Sequence, residues 1–327
     1  MFATLLGGLP RPPLPDPDRP PRADAALDAL VAAVIEAQEA AGLELITDGR
    51  LRWPDFEGPF TGLPPWRGPL TVDAWAFAAA GTSRPVKQAL PGPYSLGRRL
   101  TGSGDDVHRP DRTMALATAL RTEIEALAAA GCSVVEIEER DATEVGDDEA
   151  ERRLFRDAQL ALTEGIDGVH LSLALVGGNA DGAGIQTILA APYRSLAVDL
   201  IDGPDNWRLA RDVPGDRGVI VGALSPHDPS DDGPELLVWA VAYAASMRGR
   251  GRERVGLGTA GSLAHLPWDV AERKLRRLGE AARIASLPVF EAATQLDPRA
   301  TDIRSAALGR YEPPKARPGR PRRGRGT

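Results

Sequence analysis

Histidine is scarce in this chain, with four among 327 residues, and one of the four, His170, lies inside an apolar run. His170 and Ser172 are two residues apart, so a strand through this run points both side chains to the same face. An imidazole beside a carboxylate such as Asp199 can bind Zn²⁺, although a hydroxyl is a poor ligand in place of a thiolate. The spacing predicts an incomplete metal site at His170, Ser172 and Asp199; a core histidine is the alternative.

Other groups capable of chemistry follow apolar runs elsewhere in the chain. Glu138, Glu144 and His227 all come at or after the end of such a run. A histidine with two carboxylates nearby can exchange protons with a substrate, because its pKa lies close to neutrality. We therefore take these three residues as candidate catalytic groups.

Eight short apolar runs alternate with amphipathic segments, which predicts parallel strands that are buried on both faces and separated by helices. The predicted strands are Ala3–Gly7, Leu43–Thr47, Val86–Leu90, Ser133–Glu138, Gly168–Leu173, Ser195–Leu200, Gly218–Ala223 and Arg254–Gly258. The predicted helices include Asp24–Ala41, Asp111–Ala130, Asp147–Thr163, Pro234–Met247 and Pro267–Ala285. Eight repeats favour an α/β fold of the (β/α)8 TIM barrel type, with its active site at the carboxyl ends of the strands.

Two segments interrupt the alternation. Pro10–Pro21 is rich in proline, and Arg52–Ala80 carries Trp53, Trp66 and Trp75. Both segments follow predicted strands, so we expect them on the carboxyl face as binding loops.

Composition limits the classes of partner. The net charge is −7, and the segment 310–327 contributes +6, which leaves about −13 for the rest of the chain. An acidic body argues against nucleic acid, except for weak contact through the tail. We expect one barrel domain over residues 1–308 and a disordered basic tail over 309–327. The single cysteine and the lack of a membrane span or secretory signal predict a cytoplasmic protein that acts on a small molecule.

Six short motifs resemble the catalytic barrel of cobalamin-independent methionine synthase, in the same order along the chain. They are G-G-L-P-R-P at 7–12, Q-E-A-A-G-L at 38–43 with T-D-G at 47–49, P-G-P-Y-S-L at 91–96, E-I-E-E at 136–139, Gly222 with His227, and G-T-A-G-S-L at 258–263. The resemblance implies a single-barrel methyltransferase that passes a methyl group from 5-methyltetrahydrofolate or another donor to a thiol such as homocysteine. It implies no cobalamin and no nucleotide cofactor.

The family holds zinc through two cysteines, a histidine and a glutamate, and the resemblance implies a damaged version here. His170 matches the histidine, and Asp199 stands at the glutamate. Ser172 and Ala260 stand at the cysteines. Because both thiolates are lost, zinc is doubtful.

The substrate shell implied by the resemblance differs as well. Gly8 replaces a serine, Arg50 replaces a glutamate, and Arg99 stands near a tryptophan that stacks on folate. Arg50 suits a carboxylate or phosphate better than an ammonium group. The family equivalent of His227 donates a proton.

Three hypotheses remain open. The first is a methyltransferase of this family with an altered metal or substrate. The second is a metal-free acid–base enzyme, of the decarboxylase kind, whose anionic substrate is bound by Arg11, Arg50, Arg84 and Arg99. The third is a non-catalytic relative that binds a small ligand.

Overall fold

The computed structural model describes residues 1–13, 23–100, 108–227 and 233–297. Seven strands in these ranges form one parallel sheet in the order β1-β7-β6-β5-β4-β3-β2. Their bounds are β1 Phe2–Thr4, β2 Gln88–Pro91, β3 Val134–Glu139, β4 His170–Leu175, β5 Ser195–Asp199, β6 Gly218–Leu224 and β7 Val255–Thr259.

The predicted strand Leu43–Thr47 is reduced to two isolated parallel bridges, Leu45 with Thr4 and Ile46 with Val86. These bridges join the β1 edge of the sheet to the segment that enters β2, so the barrel closes there. The Gln38 amide replaces part of the missing ladder, because it donates to the Thr47 carbonyl (2.7 Å) and accepts from the Thr47 amide (3.0 Å). The fold prediction, a (β/α)8 TIM barrel, is confirmed.

Helices surround the strands. Their bounds are α1 Ala23–Ala40, α2 Val72–Ala80, α3 Pro93–Arg99, α4 Arg109–Ala129, α5 Glu149–Thr163, α6 Ile185–Ile188, α7 Trp207–Asp212, α8 Pro234–Ser246, α9 Trp268–Ser286 and α10 Val289–Thr294. The five helices predicted from periodicity all form, with ends within two residues of the prediction. None of the helices in the described ranges is long and apolar enough to cross a membrane.

The long tryptophan-bearing segment is not a loop throughout. Residues 72–80 form α2, and Trp75 is buried with its indole nitrogen donating to the Val86 carbonyl at 3.0 Å. The prediction of a binding loop is therefore wrong for Trp75, because the indole packs inward beside β2. Residues 14–22 of the proline-rich segment and the basic tail at 309–327 lie outside the described residues.

Most of the apolar core lies between the strands and the outer helices. A small second cluster fills part of the barrel lumen, formed by Leu6, Ala174, Val176, Ala197 and Ile220. The rest of the lumen is polar, which is unusual for a barrel interior. It includes buried ion pairs, such as Lys87 with Glu136 at 2.8 Å.

Candidate functional site

A cavity of about 530 Å³ opens at the carboxyl ends of the strands. It is lined by the turn after β1, by residues 49–51 and 53–56, by Arg140 after β3, and by Ser262, Ala264 and His265 after β7. This is the face on which parallel barrels carry their active sites. The cavity is therefore the first candidate for a substrate site.

The turn after β1 fits closely against its neighbours. Gly8 lines the cavity, and the Ser262 hydroxyl accepts from the Gly8 amide at 3.1 Å and donates to its carbonyl at 3.2 Å. A Cβ at Gly8 would lie 3.1 Å from the Gly49 carbonyl oxygen, closer than ordinary van der Waals contact. The structure thus places Gly8 at the cavity wall, where a side chain would crowd the loop at 49–51.

Arg50 and Glu138 form a buried ion pair at the floor of the cavity. Nη1 of Arg50 lies 2.8 Å from one carboxylate oxygen, and Nη2 lies 2.7 Å from the other. Burial alone would raise the pKa of Glu138, but the charges of Arg50 and Arg140 outweigh it and hold the pKa below its usual value. The Arg50 guanidinium also lies 5.0 Å from the Trp53 ring centroid. Both residues were predicted to lie in the site, and the structure brings them together at this cavity. The sequence analysis missed that they neutralise each other.

Arg140 was missed by the sequence analysis. Its guanidinium lines the cavity, lies 4.5 Å from the Phe56 ring centroid and is 3.9 Å from a Glu138 oxygen. The Nε atom of Arg140 is buried without a hydrogen-bond partner. Burial lowers the pKa of this guanidinium from its usual value, as expected for a cation held away from water. Its position directly after the acidic end of β3 was the available signal.

Two predicted substrate-binding arginines are placed elsewhere. Arg84 precedes β2 and donates to the Leu43 carbonyl, so it lies toward the amino ends of the strands. Arg99 is at the carboxyl face but outside the cavity lining, and its Nε donates to Asp141 at 2.7 Å. Neither guanidinium is brought to the cavity, because each is held by groups outside it.

The candidate acid Glu144 is not brought into the site. It lies in a single 3₁₀ turn after β3, and its side chain is 55 % exposed. Its nearest cation is Arg98, at 3.5 Å. The chain turns away from the lumen after Glu139, which carries Glu144 outward.

A histidine–carboxylate pair borders the cavity. Nε2 of His227 lies 2.7 Å from an Asp202 oxygen, and the His227 ring is 5.9 Å from that of His265, which lines the cavity. A ring whose Nε2 donates to a carboxylate leaves Nδ1 as a proton acceptor. The structure thus pairs His227 with Asp202 instead of with Glu138 or Glu144.

The three predicted metal ligands do not converge. His170 is the first residue of β4 and bonds Ser195, the first residue of β5, at 2.8 Å. Asp199 is the last residue of β5, four residues further, or about 13 Å along the strand. Ser172 is two residues beyond His170, still in the amino-terminal half of the barrel. The prediction that these three residues form one metal site is wrong, because it did not consider which end of its strand each residue occupies.

The residues that remain at the carboxyl face do not fit zinc. The Asp199 oxygens accept from the amides of Gly177, Ile201 and Asp202 at 2.9–3.0 Å. Ala260 is buried and offers no side-chain donor. Throughout the described ranges, no group of three or more histidine, cysteine or acidic side chains is arranged to hold a metal ion.

Residues 65–181 match the model of the catalytic domain of cobalamin-independent synthase. Over this segment the chain resembles the cobalamin-independent methionine synthases. Two curated relatives are 5-methyltetrahydropteroyltriglutamate–homocysteine methyltransferases. The one from Nitratidesulfovibrio vulgaris is 32% identical over 36% of this chain and 18% of its own length. The one from Bradyrhizobium diazoefficiens is 35% identical over 22% of this chain and 9% of its own length. The matches thus span less than a fifth of either relative.

Solved structures agree on the fold. A B12-independent methionine synthase from Shewanella sp. W3-18-1, in complex with selenomethionine, superposes with a TM-score of 0.74 at 17% identity. That comparison covers 90% of this chain and 99% of the other. A putative vitamin-B12 independent methionine synthase from Listeria monocytogenes superposes with a TM-score of 0.66 at 16% identity. That comparison covers 86% of this chain and 97% of the other. These two solved structures share the barrel fold with this chain over nearly its whole length.

Proposed function

We propose that this protein is a methyltransferase of the cobalamin-independent methionine synthase type, acting at the cavity on the carboxyl face. The acceptor is a small thiol such as homocysteine, and the donor is 5-methyltetrahydrofolate or a related methyl carrier. The observation that carries the proposal is the cavity of about 530 Å³ at the catalytic face of a barrel related to that family. Its position suits a transferase that must receive two small molecules.

The charges around the cavity favour an anionic substrate. Arg11 and Arg140 line it, whereas the charge of Arg50 is balanced by Glu138. A folate donor and an amino-acid acceptor both carry carboxylates, which guanidinium groups bind in paired hydrogen bonds. We infer that Arg140, whose Nε makes no hydrogen bond, is the principal anchor.

The proton of the thiol must leave before sulfur attacks the methyl group. The net reaction, R–SH + CH₃–X → R–S–CH₃ + H–X, moves one proton from sulfur to the leaving group. His227 is suited to carry that proton on Nδ1, because Asp202 holds Nε2. Since the donor set does not fit zinc, no step of this proposal passes through a metal.

The test is methyl transfer from 5-methyltetrahydrofolate to homocysteine, followed as methionine formed. We expect turnover by the full chain and a fall of about 10²- to 10⁴-fold in kcat/KM for His227→Ala, the range for a lost general acid–base group. His108→Ala is the matched control, since His108 is an exposed residue at the start of α4. Equal rates for His227→Ala and the unaltered chain would remove His227 from the proposal.

A second candidate is ligand binding without turnover. It is favoured because the two lumen carboxylates nearest the carboxyl face, Glu138 and Asp199, have their oxygens engaged by Arg50 and by backbone amides. Calorimetry with homocysteine and with the folate separates the candidates. Saturable binding weakened by Arg140→Ala, with no methionine formed by any variant, would support binding alone.

A further inference from the structure

A second and larger cavity, of about 800 Å³, opens at the opposite end of the barrel. It is lined by the first residues of several strands, among them Phe2, His170, Ser195 and Gly218. This face lies away from the site proposed for methyl transfer. Amino-terminal faces of parallel barrels generally serve stability and are filled with side chains.

The cavity exists because small residues occupy lumen positions on three neighbouring strands. Ser172 pairs in register with Ser195, and Ser195 pairs with Gly218. Large branched residues normally fill such a layer. Space left open in a core costs stability, because its walls lose their packing contacts. The sequence therefore keeps open a volume that packing alone would close.

One polar group at this cavity lacks a partner. Ser172 lines it, is 1% exposed, and its hydroxyl makes no hydrogen bond with the described part of the chain. A buried hydroxyl without a partner is unfavourable, since folding removes its water without replacement. The group is thus a hydrogen-bonding point available to a molecule in the cavity.

The polar floor carries no net charge. Both Glu136 oxygens are bound by the Lys87 ammonium, at 2.8 and 2.9 Å. Burial, aided by the nearby Arg194 guanidinium, lowers the pKa of His170, which favours the neutral imidazole. His170 already shares a hydrogen bond with Ser195 at 2.8 Å. The other charged residues of the lining lie before the strands, at the mouth of the cavity: Glu44, Arg194, Asp216, Arg217, Glu253 and Arg254. The floor around Ser172 therefore favours an uncharged group.

Part of the wall is apolar and includes an aromatic ring. Leu45, Pro85, Pro192 and Ile220 contribute aliphatic surface. The Phe2 ring lies against the backbone of Gly256, where a Cβ would be 2.5 Å from the ring. Such walls suit a planar hydrocarbon surface.

We propose that the amino-terminal cavity is a binding site for an uncharged aromatic alcohol, whose hydroxyl pairs with the Ser172 hydroxyl and whose ring lies against Phe2. The size falls within the range of small-molecule sites. The site is separate from the methyl-transfer cavity, so its test does not depend on the proposed activity.

The probe is 4-ethylphenol, titrated into the full chain by calorimetry, with ethylbenzene as the analogue lacking the hydroxyl. We expect saturable binding of 4-ethylphenol and affinity lower by about fivefold for Ser172→Ala, as for one lost hydrogen bond. Ser262→Ala, at the other mouth of the barrel, is the matched control and should bind the probe unchanged.

A stability measurement distinguishes loss of the binding site from unfolding of the variant. Ser172→Val fills part of the cavity and removes the orphan hydroxyl, so it should keep or raise Tm while abolishing the rise in Tm that 4-ethylphenol gives. No saturable binding, equal affinity in Ser172→Ala, or an equal affinity for ethylbenzene would each overturn the proposal.

Discussion

At the scale of single residues, the site is defined by how charges pair. Arg50 and Glu138 are 88 positions apart in the chain, yet their side chains make a two-point contact at the cavity floor. Arg50 also has a φ of 56°, a left-handed conformation uncommon for residues other than glycine. That backbone turns the guanidinium inward, over Trp53 and onto Glu138. An arginine that looked available for substrate is instead part of the scaffold of the site.

Arg50→Ala should lower the free energy of unfolding by about 3–5 kcal/mol at neutral pH, the usual cost of leaving a buried charge unpaired. Arg276→Ala, which removes an exposed ion pair on α9 at 3.3 Å, is the control and should cost less than about 1 kcal/mol. Urea unfolding of both variants checks the prediction.

The same pair predicts an acid dependence. The pKa of Glu138 is lowered in the folded chain. Its stabilising contribution is therefore present above the unfolded-state pKa of about 4.5 and is lost as pH falls through the folded-state pKa.

Replacing both partners, in Arg50→Met/Glu138→Leu, should recover part of the stability lost in Arg50→Ala. A double variant no more stable than the single one would show that the pair does more than balance charge.

At the scale of elements, one buried carboxyl joins β3 to two helices. Glu139 accepts from the amides of Tyr94 and Ser95 at the start of α3 and from the Gln159 side chain of α5. Gly92, the residue before α3, permits this approach, since a Cβ there would lie 2.1 Å from the Glu139 carboxyl carbon. The first turn of a helix has unpaired amides that favour an acidic partner. The carboxyl therefore fixes α3 against the barrel.

Burial raises the pKa of Glu139 to about 7 despite its hydrogen bonds. Because the folded-state pKa is raised, the contribution of Glu139 to the free energy of unfolding is full below about pH 4.5 and is lost as pH rises through about 7. Between pH 5.5 and 8 the loss is about 2 kcal/mol, at about 1.4 kcal/mol per pKa unit.

The measurement is urea unfolding at both pH values, for the unaltered chain and for Glu139→Gln. Because glutamine does not titrate, the variant should lack this part of the pH dependence, whatever its stability at one pH. The same slope in both proteins would assign the pH dependence to other groups.

At the scale of the whole molecule, the barrel carries two cavities at opposite mouths with a column of paired charges between them. Arg50–Glu138 lies toward the carboxyl mouth and Lys87–Glu136 toward the amino mouth. Glu136 and Glu138 share a lumen face of β3 because they are two residues apart. The position of each group along its strand, and not its residue type, decides which cavity it lies near.

That separation gives a prediction about zinc. With His170 at one end and Asp199 at the other, we expect well below one zinc per chain in protein purified without chelator, and no change in Tm on adding zinc. Plasma mass spectrometry on the unaltered chain and on His170→Ala gives the metal content. About one zinc per chain, lost in His170→Ala, would contradict the placement of these residues.

The sequence by itself determined the barrel and the five long helices, because hydrophobic periodicity reports which faces are buried. It also determined that His170 and Ser172 share a face, since alternation along a strand needs no tertiary information. It did not determine where strands begin. The predicted strand Gly168–Leu173 is observed as His170–Leu175, and that shift of two residues moves His170 to the amino-terminal mouth.

Only the tertiary structure decided which charged side chains are available to a substrate. The pairing of Arg50 with Glu138, the inward placement of Arg140 and the partnership of His227 with Asp202 join residues on different strands and loops. Such contacts depend on barrel closure and loop geometry, which leave no periodic trace in the chain. The amino-terminal cavity has the same origin, because three small residues on separate strands become one open space only when those strands lie side by side.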